Sequence, residues 1–194
     1  MSGFGSVSGN PIFHSKITQD AGAGAITSFG AGFVSDNDCK APTISNINGV
    51  IVTKLFIDLA GNTSKNDVDD VIGDSGGGDA YVYRHSNAIS GFLESITVTC
   101  TETPTTGADD IDFRLSTDSD LAYDSDASGE ISLIISGAAW EIGVSKMLSD
   151  GANPMAMAAG NFNSLYLYLC SGEAVAGEYG AGKFIVTIVG NETF

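Results

Sequence analysis

The sequence predicts a mainly β protein: an antiparallel β-sandwich or jelly roll with an extended N-terminal arm and at most one short helix. Three observations carry that prediction. Short runs alternate apolar and polar residues, as strands with one buried face do. Glycine, Asn, Asp and Ser clusters interrupt these runs at frequent intervals, marking turns. Hydrophobic residues make up 43% of the 194 positions while charged residues make up 16%, so the chain can fill one core and draws its polarity from uncharged groups and 25 glycines.

Residues 1–45 differ from the rest. They are rich in Gly, Ala and Ser, as in DAGAGAITSFGAGF, and no strand or helix period persists. Such a segment buries too little surface to fold alone. Its isolated aromatics, Phe4, Phe13, Phe29 and Phe33, are the expected anchors of an arm that orders on a partner subunit. The β-sandwich domain is expected over 46–194.

Residues 50–59 read as a strand with Ile51, Thr53, Leu55, Ile57 and Leu59 on one face and Lys54 and Asp58 on the other. Residues 62–78 read as a long polar loop containing DVDD and SGGG, followed by short apolar pieces at 80–84 and 89–92. Residues 94–102 alternate, with Ile96, Val98 and Cys100 facing in. Residues 110–116 do the same, with Ile111, Phe113 and Leu115 against Asp112 and Arg114, and the PTTGADD link between them reads as a hairpin loop. After an acidic turn at 118–130 comes a short strand at 131–136, and AAWEIGVSKML at 138–148 is the one helix candidate, weakened by Gly143. Residues 164–170 and 183–189 are apolar on both faces, the signature of a mid-sandwich or interface strand.

Charge narrows the function. With 24 acidic and 8 basic residues the net charge is −16. A chain of this sign repels phosphate backbones and anionic lipid surfaces, so neither nucleic acid nor membrane is an expected partner. Acidic faces suit divalent cations or basic protein surfaces. The N-terminus MSGFGSVSGN has neither a charged nor an apolar signal region, so no secretory signal is expected. Cys39, Cys100 and Cys170 are odd in number and widely spaced, which suggests reduced thiols.

Two short motifs resemble catalytic ones and lack their context. The GDSGG at 73–77 surrounds a serine nucleophile in chymotrypsin-like proteases, but His14 lies in the arm and His85 follows the serine, so no positioned base is evident. The GEYGAGK at 177–183 has the spacing of a phosphate loop, but Phe184 replaces the hydroxyl residue and a strand follows instead of a helix. No catalytic residue is therefore assigned and no enzymatic activity is expected. The acidic turn offers more. Asp124, Asp126 and Ser128, with Gly129, alternate oxygen donors around a glycine bend as a calcium loop does. Position twelve of such a loop would be Ile135 rather than Glu, so Ca2+ is an incomplete match. Trp140 reads as a core or interface residue, and Tyr166 and Tyr168 as core packing or an interface face.

Three segments together carry a family resemblance: KLFIDLAGNTSKNDVDDVIGDSGGG, DDIDFRLSTDSD and LYLYLCSGEAVAGEYGAGKFIVTIVG. Their texture resembles small virion structural proteins of tailed phages, particularly marine ones, over about residues 50–190. The resemblance implies a β-rich particle component without enzymatic activity: a capsid decoration (cement) protein, a head fibre or knob, or a tail part. Decoration is preferred, because the chain is short and shows no fibre repeat. It implies capsid or other virion proteins as partners, a closed homo-oligomer with a trimer favoured, and residence in the virion after assembly in the host cytoplasm. The alternative is a tail or knob adhesin, a carbohydrate-binding module that uses calcium at Asp124 and Asp126.

Overall fold

A computed structural model describes residues 29–35, 38–148 and 165–192. The chain is mainly β, and its sheets are antiparallel. Strands β1 (Lys40–Ile47), β2 (Val50–Asp58), β5 (Phe92–Thr105), β8 (Ser145–Met147) and β11 (Ala181–Asn191) form a five-stranded sheet in the order β1-β2-β11-β5-β8. Strands β4 (Tyr83–His85), β6 (Ile111–Ser116), β7 (Ile131–Ile134) and β9 (Leu165–Ser171) form a four-stranded sheet in the order β4-β9-β6-β7. The two-residue strands β3 (Thr63–Ser64) and β10 (Gly177–Glu178) pair with each other.

The two larger sheets face each other across one core, as in a β-sandwich. Leu55, Ile57, Val98 and Phe184 come to it from the first sheet, and Ile111, Phe113, Leu167 and Leu169 from the second. Removing such side chains from water supplies the main driving force. The alternation expected for 50–59 and 94–102 is present, with Ile51, Thr53, Leu55, Ile57, Ile96, Val98 and Cys100 all buried, except that Asp58, expected on the opposite face of the first, is buried too. All three cysteines are free thiols.

Several expectations are overturned. PTTGADD is not a hairpin loop: β5 pairs with β11 and β8, whereas β6 pairs with β7 and β9, so the link carries the chain from one sheet to the other. Residues 138–148 form no helix. Gly143 adopts φ 88°, Trp140 turns inward, and 145–147 becomes the edge strand β8. The single helix among the described residues is α1 (Asn87–Ser90). Residues 62–78 are the expected polar loop apart from the two-residue strand β3, and the loop is anchored inward by Asn62, Ser64, Val71 and Ile72, which are fully buried. Asp112 and Arg114 are buried too, because β6 is covered on both faces.

The folded body also begins upstream of position 46. Gly30 donates its N–H to the Tyr81 carbonyl at 2.8 Å and Gly32 to that of Asp79 at 2.7 Å, so this stretch lies against residues 79–81. The glycines are needed for that approach: a Cβ on Gly32 would sit 1.8 Å from the Gly78 oxygen. Held there, Phe33 enters the core and Phe29 stacks on it at 5.6 Å. Expected as anchors for a partner, these two rings pack in the chain's own body. Phe4 and Phe13, the other two, lie outside the described residues.

Candidate functional site

The two sheets present very different outer faces. Behind β9 and β6, the loops fold over the four-stranded sheet. Tyr168 and Cys170 of β9 meet Val71, Ala80 and Ala127 from the loops in a second, smaller apolar cluster. The DVDD and DSDLAYDSD stretches come together there, since the backbones of Asp70 and Asp126 form a bridge and the Val71 N–H bonds the Ser125 carbonyl at 2.9 Å. Arg114 ties this layer down. Its Nη1 donates to the Ala127 carbonyl at 2.9 Å, its Nη2 bonds Asp69, and Asp112 lies 3.5 Å from Nη2. Burial pushes the Asp112 carboxyl up, opposed by the Ser136 N–H and by Arg114.

Among the described residues, no apolar cluster of this kind lies on the outer face of the five-stranded sheet. Its central strand β11 alternates strictly: Phe184, Val186 and Ile188 are buried, and Ile185, Thr187 and Val189 are half-buried on the opposite face. Register sets Ile185 beside Phe56 and Thr99, Thr187 beside Lys54 and Thr97, and Val189 beside Val52 and Ser95. Val52, Phe56, Ile185 and Val189 therefore line one outer face, and they belong to neither apolar cluster. Lys54 is exposed at the middle of this face, and the Lys40 ammonium sits 6.0 Å from the centre of the Phe56 ring. Met147 adds an exposed apolar side chain beside Thr97. At one corner the β1–β2 turn, Asn48 at φ 54° and Gly49 at φ 87°, projects Ile47 and Val50 into solvent.

At the other end of the face, Lys183 gathers three carboxylates: Asp38 at 2.7 Å, Glu102 at 3.5 Å and Asp58 at 3.7 Å. They line an open cleft of about 290 Å³ with Ala60, Gly180 and Ala181. Lys183, bonded to Asp38, is held protonated well above the usual lysine range, and Asp38 is pulled below the usual carboxylate range. Lys183 is thus engaged by carboxylates, and GEYGAGK is no loop into a helix: it runs from β10 through Tyr179 and Gly180 straight into β11, with Tyr179 buried and donating its hydroxyl to the Ala108 carbonyl at 2.8 Å.

The predicted calcium residues make contacts of their own within the fold. Asp124 adopts φ 70° and pairs with Lys65 at 2.7 Å, while Asp126 accepts the Ser128 N–H at 2.8 Å and thereby closes its own turn. Ser128 is exposed. Asp70 approaches this loop, and burial, then Asp67 and Asp124, push its carboxyl up. Among the described residues no three His, Cys, Asp or Glu side chains are grouped to hold a metal ion.

The protease-like string is a glycine turn. Ser75 is exposed, and a Cβ on Gly77 would lie 2.5 Å from the Gly32 Cα, so these glycines serve the close approach of residues 30–33. Whereas Ser75 lies on the surface, His85 is 2% exposed, with both ring nitrogens buried. Its burial pushes the imidazole below the usual 6.5. The proton then prefers the unfolded chain, so this group's contribution is intact above pH 6.5 and is lost as the pH falls below it. Unfolding measured from about pH 7.5 to about pH 5.5 is expected to show a loss of up to about 1.4 kcal/mol per pH unit. His85→Leu removes that slope if this assignment is right; an unchanged slope refutes it. Asp70 and Asp112, whose carboxyls are pushed up, act in the opposite sense as the pH falls further.

No helix among the described residues is long and apolar enough to cross a membrane. The double-sided apolarity of 183–189 points to this outer face, whereas Lys54 and Asp58 make the matching row of β2 look polar, and it is the structure that adds Val52 and Phe56 to it. Set against protein families, curated proteins and solved structures, the chain matches none of them.

Proposed function

We propose that this chain is a structural protein of a virus particle, a capsid decoration protein that docks on shell subunits through the outer face of its five-stranded sheet. One observation carries the reading: Val52, Phe56, Ile185 and Val189 form an apolar surface that the chain's described core does not use. Apolar side chains aligned on a regular sheet gain most when a second protein surface removes them from water. Lys40 and Lys54 on the same face give a −16 chain a place where an acidic partner surface is not repelled. On a repetitive shell, many copies of a modest contact add up through symmetry and avidity.

The test is co-sedimentation with purified heads of the phage that encodes the chain. The intact protein is expected to pellet with heads in a fixed ratio to the shell protein. Ile185→Glu places a charge in the middle of the contact and is expected to weaken binding roughly 30-fold or more, the factor that about 2 kcal/mol represents. Its melting curve is expected to stay near that of the parent, because Ile185 faces outward. Equal binding by parent and variant, or association with tails alone, overturns the proposal.

A further inference from the structure

We propose that two copies of this chain join through the free edge of β1, antiparallel about a two-fold axis, so that their five-stranded sheets continue into one. Pairing at the edge leaves the outer face open, so this interface stands apart from the docking face. Among the described edge strands, β4 and β8 have 3 residues each and β7 has 4, whereas β1 has 8. A long exposed edge is a template for another strand, and very short edges are not. Within β1, the irregularity between Lys40 and Thr43 and the ring of Pro42 spoil the first part of the edge. Thr43–Ile47 then runs in unbroken register with β2 and carries no charge to guard it.

The β1–β2 turn fixes which groups are free. Asn48 and Gly49 both have positive φ, as in a tight two-residue hairpin, so Ile47 and Val50 exchange both backbone hydrogen bonds. Such pairs alternate along an antiparallel ladder. Ser45 and Thr43 therefore also turn their N–H and C=O toward β2, and Ile44 and Asn46 turn theirs to the edge. No other described strand pairs with β1. These groups ask for a strand of the same spacing, and a second β1 supplies one. With Ser45 facing Ser45 of the second copy, Ile44 of each exchanges both hydrogen bonds with Asn46 of the other. Ile47, 59% exposed, then lies beside Thr43 of the second copy, a β-branched cross-strand pair.

Charge selects the same edge. Two chains of −16 repel each other, so they meet best where acid is absent. Between Asp38 and Asp58 the sequence has no Asp or Glu, the longest such stretch among the described residues, and it is the stretch that forms β1 and β2. Its two lysines do not oppose the pairing. In this register the Lys54 side chains of the two copies stand at least three strand spacings apart, about 14 Å, beyond the screening length of about 8 Å at physiological salt.

The experiment measures the mass of the full chain in solution by light scattering. So short a pairing belongs to the weak class of interfaces, so the range runs from about 5 to about 200 µM. The mass is expected to rise to twice the monomer's and no further. Ile47→Lys sets a charge beside Thr43 of the second copy and is expected to weaken association roughly tenfold or more, with the melting curve near the parent's because Ile47 is exposed. Ile44→Pro removes an edge donor and is expected to act in the same sense, which keeps the test decisive if the first variant misfolds. Register is read by Ser45→Cys: facing residues of a non-hydrogen-bonded pair lie about 4.5 Å apart at Cα, within disulfide reach. Mild oxidation is expected to crosslink Ser45→Cys into dimers faster than the parent, whose own thiols are the control. Thr43→Cys is expected to crosslink only when mixed with Ile47→Cys. A parent that stays monomeric throughout, a trimer, folded variants that associate as the parent does, or a Ser45→Cys that crosslinks no faster than the parent overturns the proposal. Head co-sedimentation of Ile185→Glu reads the docking face separately, so either idea can fail alone.

Discussion

Replacing Arg114 with Met is expected to cost about 3–5 kcal/mol of stability, the usual penalty for stripping one partner from a buried ion pair. Arg114 is 5% exposed on β6 and holds three acceptors at once: the Ala127 carbonyl, Asp69 and Asp112. Methionine has similar volume, so the loss comes from charge and hydrogen bonds and not from a cavity. Asp112, 3% exposed, keeps the Ser136 N–H at 2.7 Å and loses its only described cation. Burial already pushes its carboxyl up and Arg114 opposes that push, so in the variant the carboxyl rises further. A carboxyl raised in the folded state takes up a proton more readily folded than unfolded, so the variant's deficit is largest at neutral pH and shrinks as the pH falls. Urea unfolding at about pH 7 and about pH 5 checks both parts. Adding Asp112→Asn to Arg114→Met is expected to recover part of the loss. A deficit under about 1 kcal/mol, or one equal at both pH values, means the network contributes no more than a surface pair does.

The same residue shows where reading the sequence stops. In DIDFRLS, alternation assigns Ile111, Phe113 and Leu115 to the core, and they are there. By the same rule Asp112 and Arg114 face solvent, yet they lie under the loops. Alternation says which residues share a face and nothing about what later covers it. Pairing partners are equally invisible locally. PTTGADD carries every turn signal, but β5 is taken by β11 from far along the chain, and turn chemistry cannot announce that competitor. Glycine was ambiguous for a related reason. The run around Phe29 and Phe33 has the composition of an arm, and its glycines instead permit backbone contact with a second glycine run at 73–78. Two such runs facing each other is a long-range fact. The candidate face was half legible because strand 183–189 is apolar on both sides, which only a covered or docking strand tolerates.

Trp140→Ala is expected to cost about 3–5 kcal/mol, within the range for deleting a buried aromatic. The indole is fully buried, edge-on to Phe184 at 5.3 Å and to Phe113 at 6.1 Å, and so joins the two sheets through one ring from each. Its Nε1–H donates to the Ile111 carbonyl at 2.8 Å, and its backbone N–H to that of Asp109 at 2.9 Å. The Lys146 ammonium sits 4.6 Å from the ring centre and also bonds the Ser136 carbonyl at 2.8 Å. This explains why AAWEIGVSKML abandons the helix its spacing allows: a helix would expose the side chain that the core gains most by burying. Alanine leaves a cavity, an unpaired Ile111 carbonyl and a loop without its anchor, so β8 should loosen with it. Trp140→Phe keeps a ring and loses the donor, and is expected to cost about 1–3 kcal/mol, the penalty for one unsatisfied buried acceptor. Amide exchange at Leu148, whose N–H bonds the Ile96 carbonyl at 3.1 Å, reads the edge strand directly. It should speed up in Trp140→Ala and stay near the parent's rate in Trp140→Phe. If Trp140→Ala melts like the parent, the two sheets are held by the remaining core alone and the anchoring role fails.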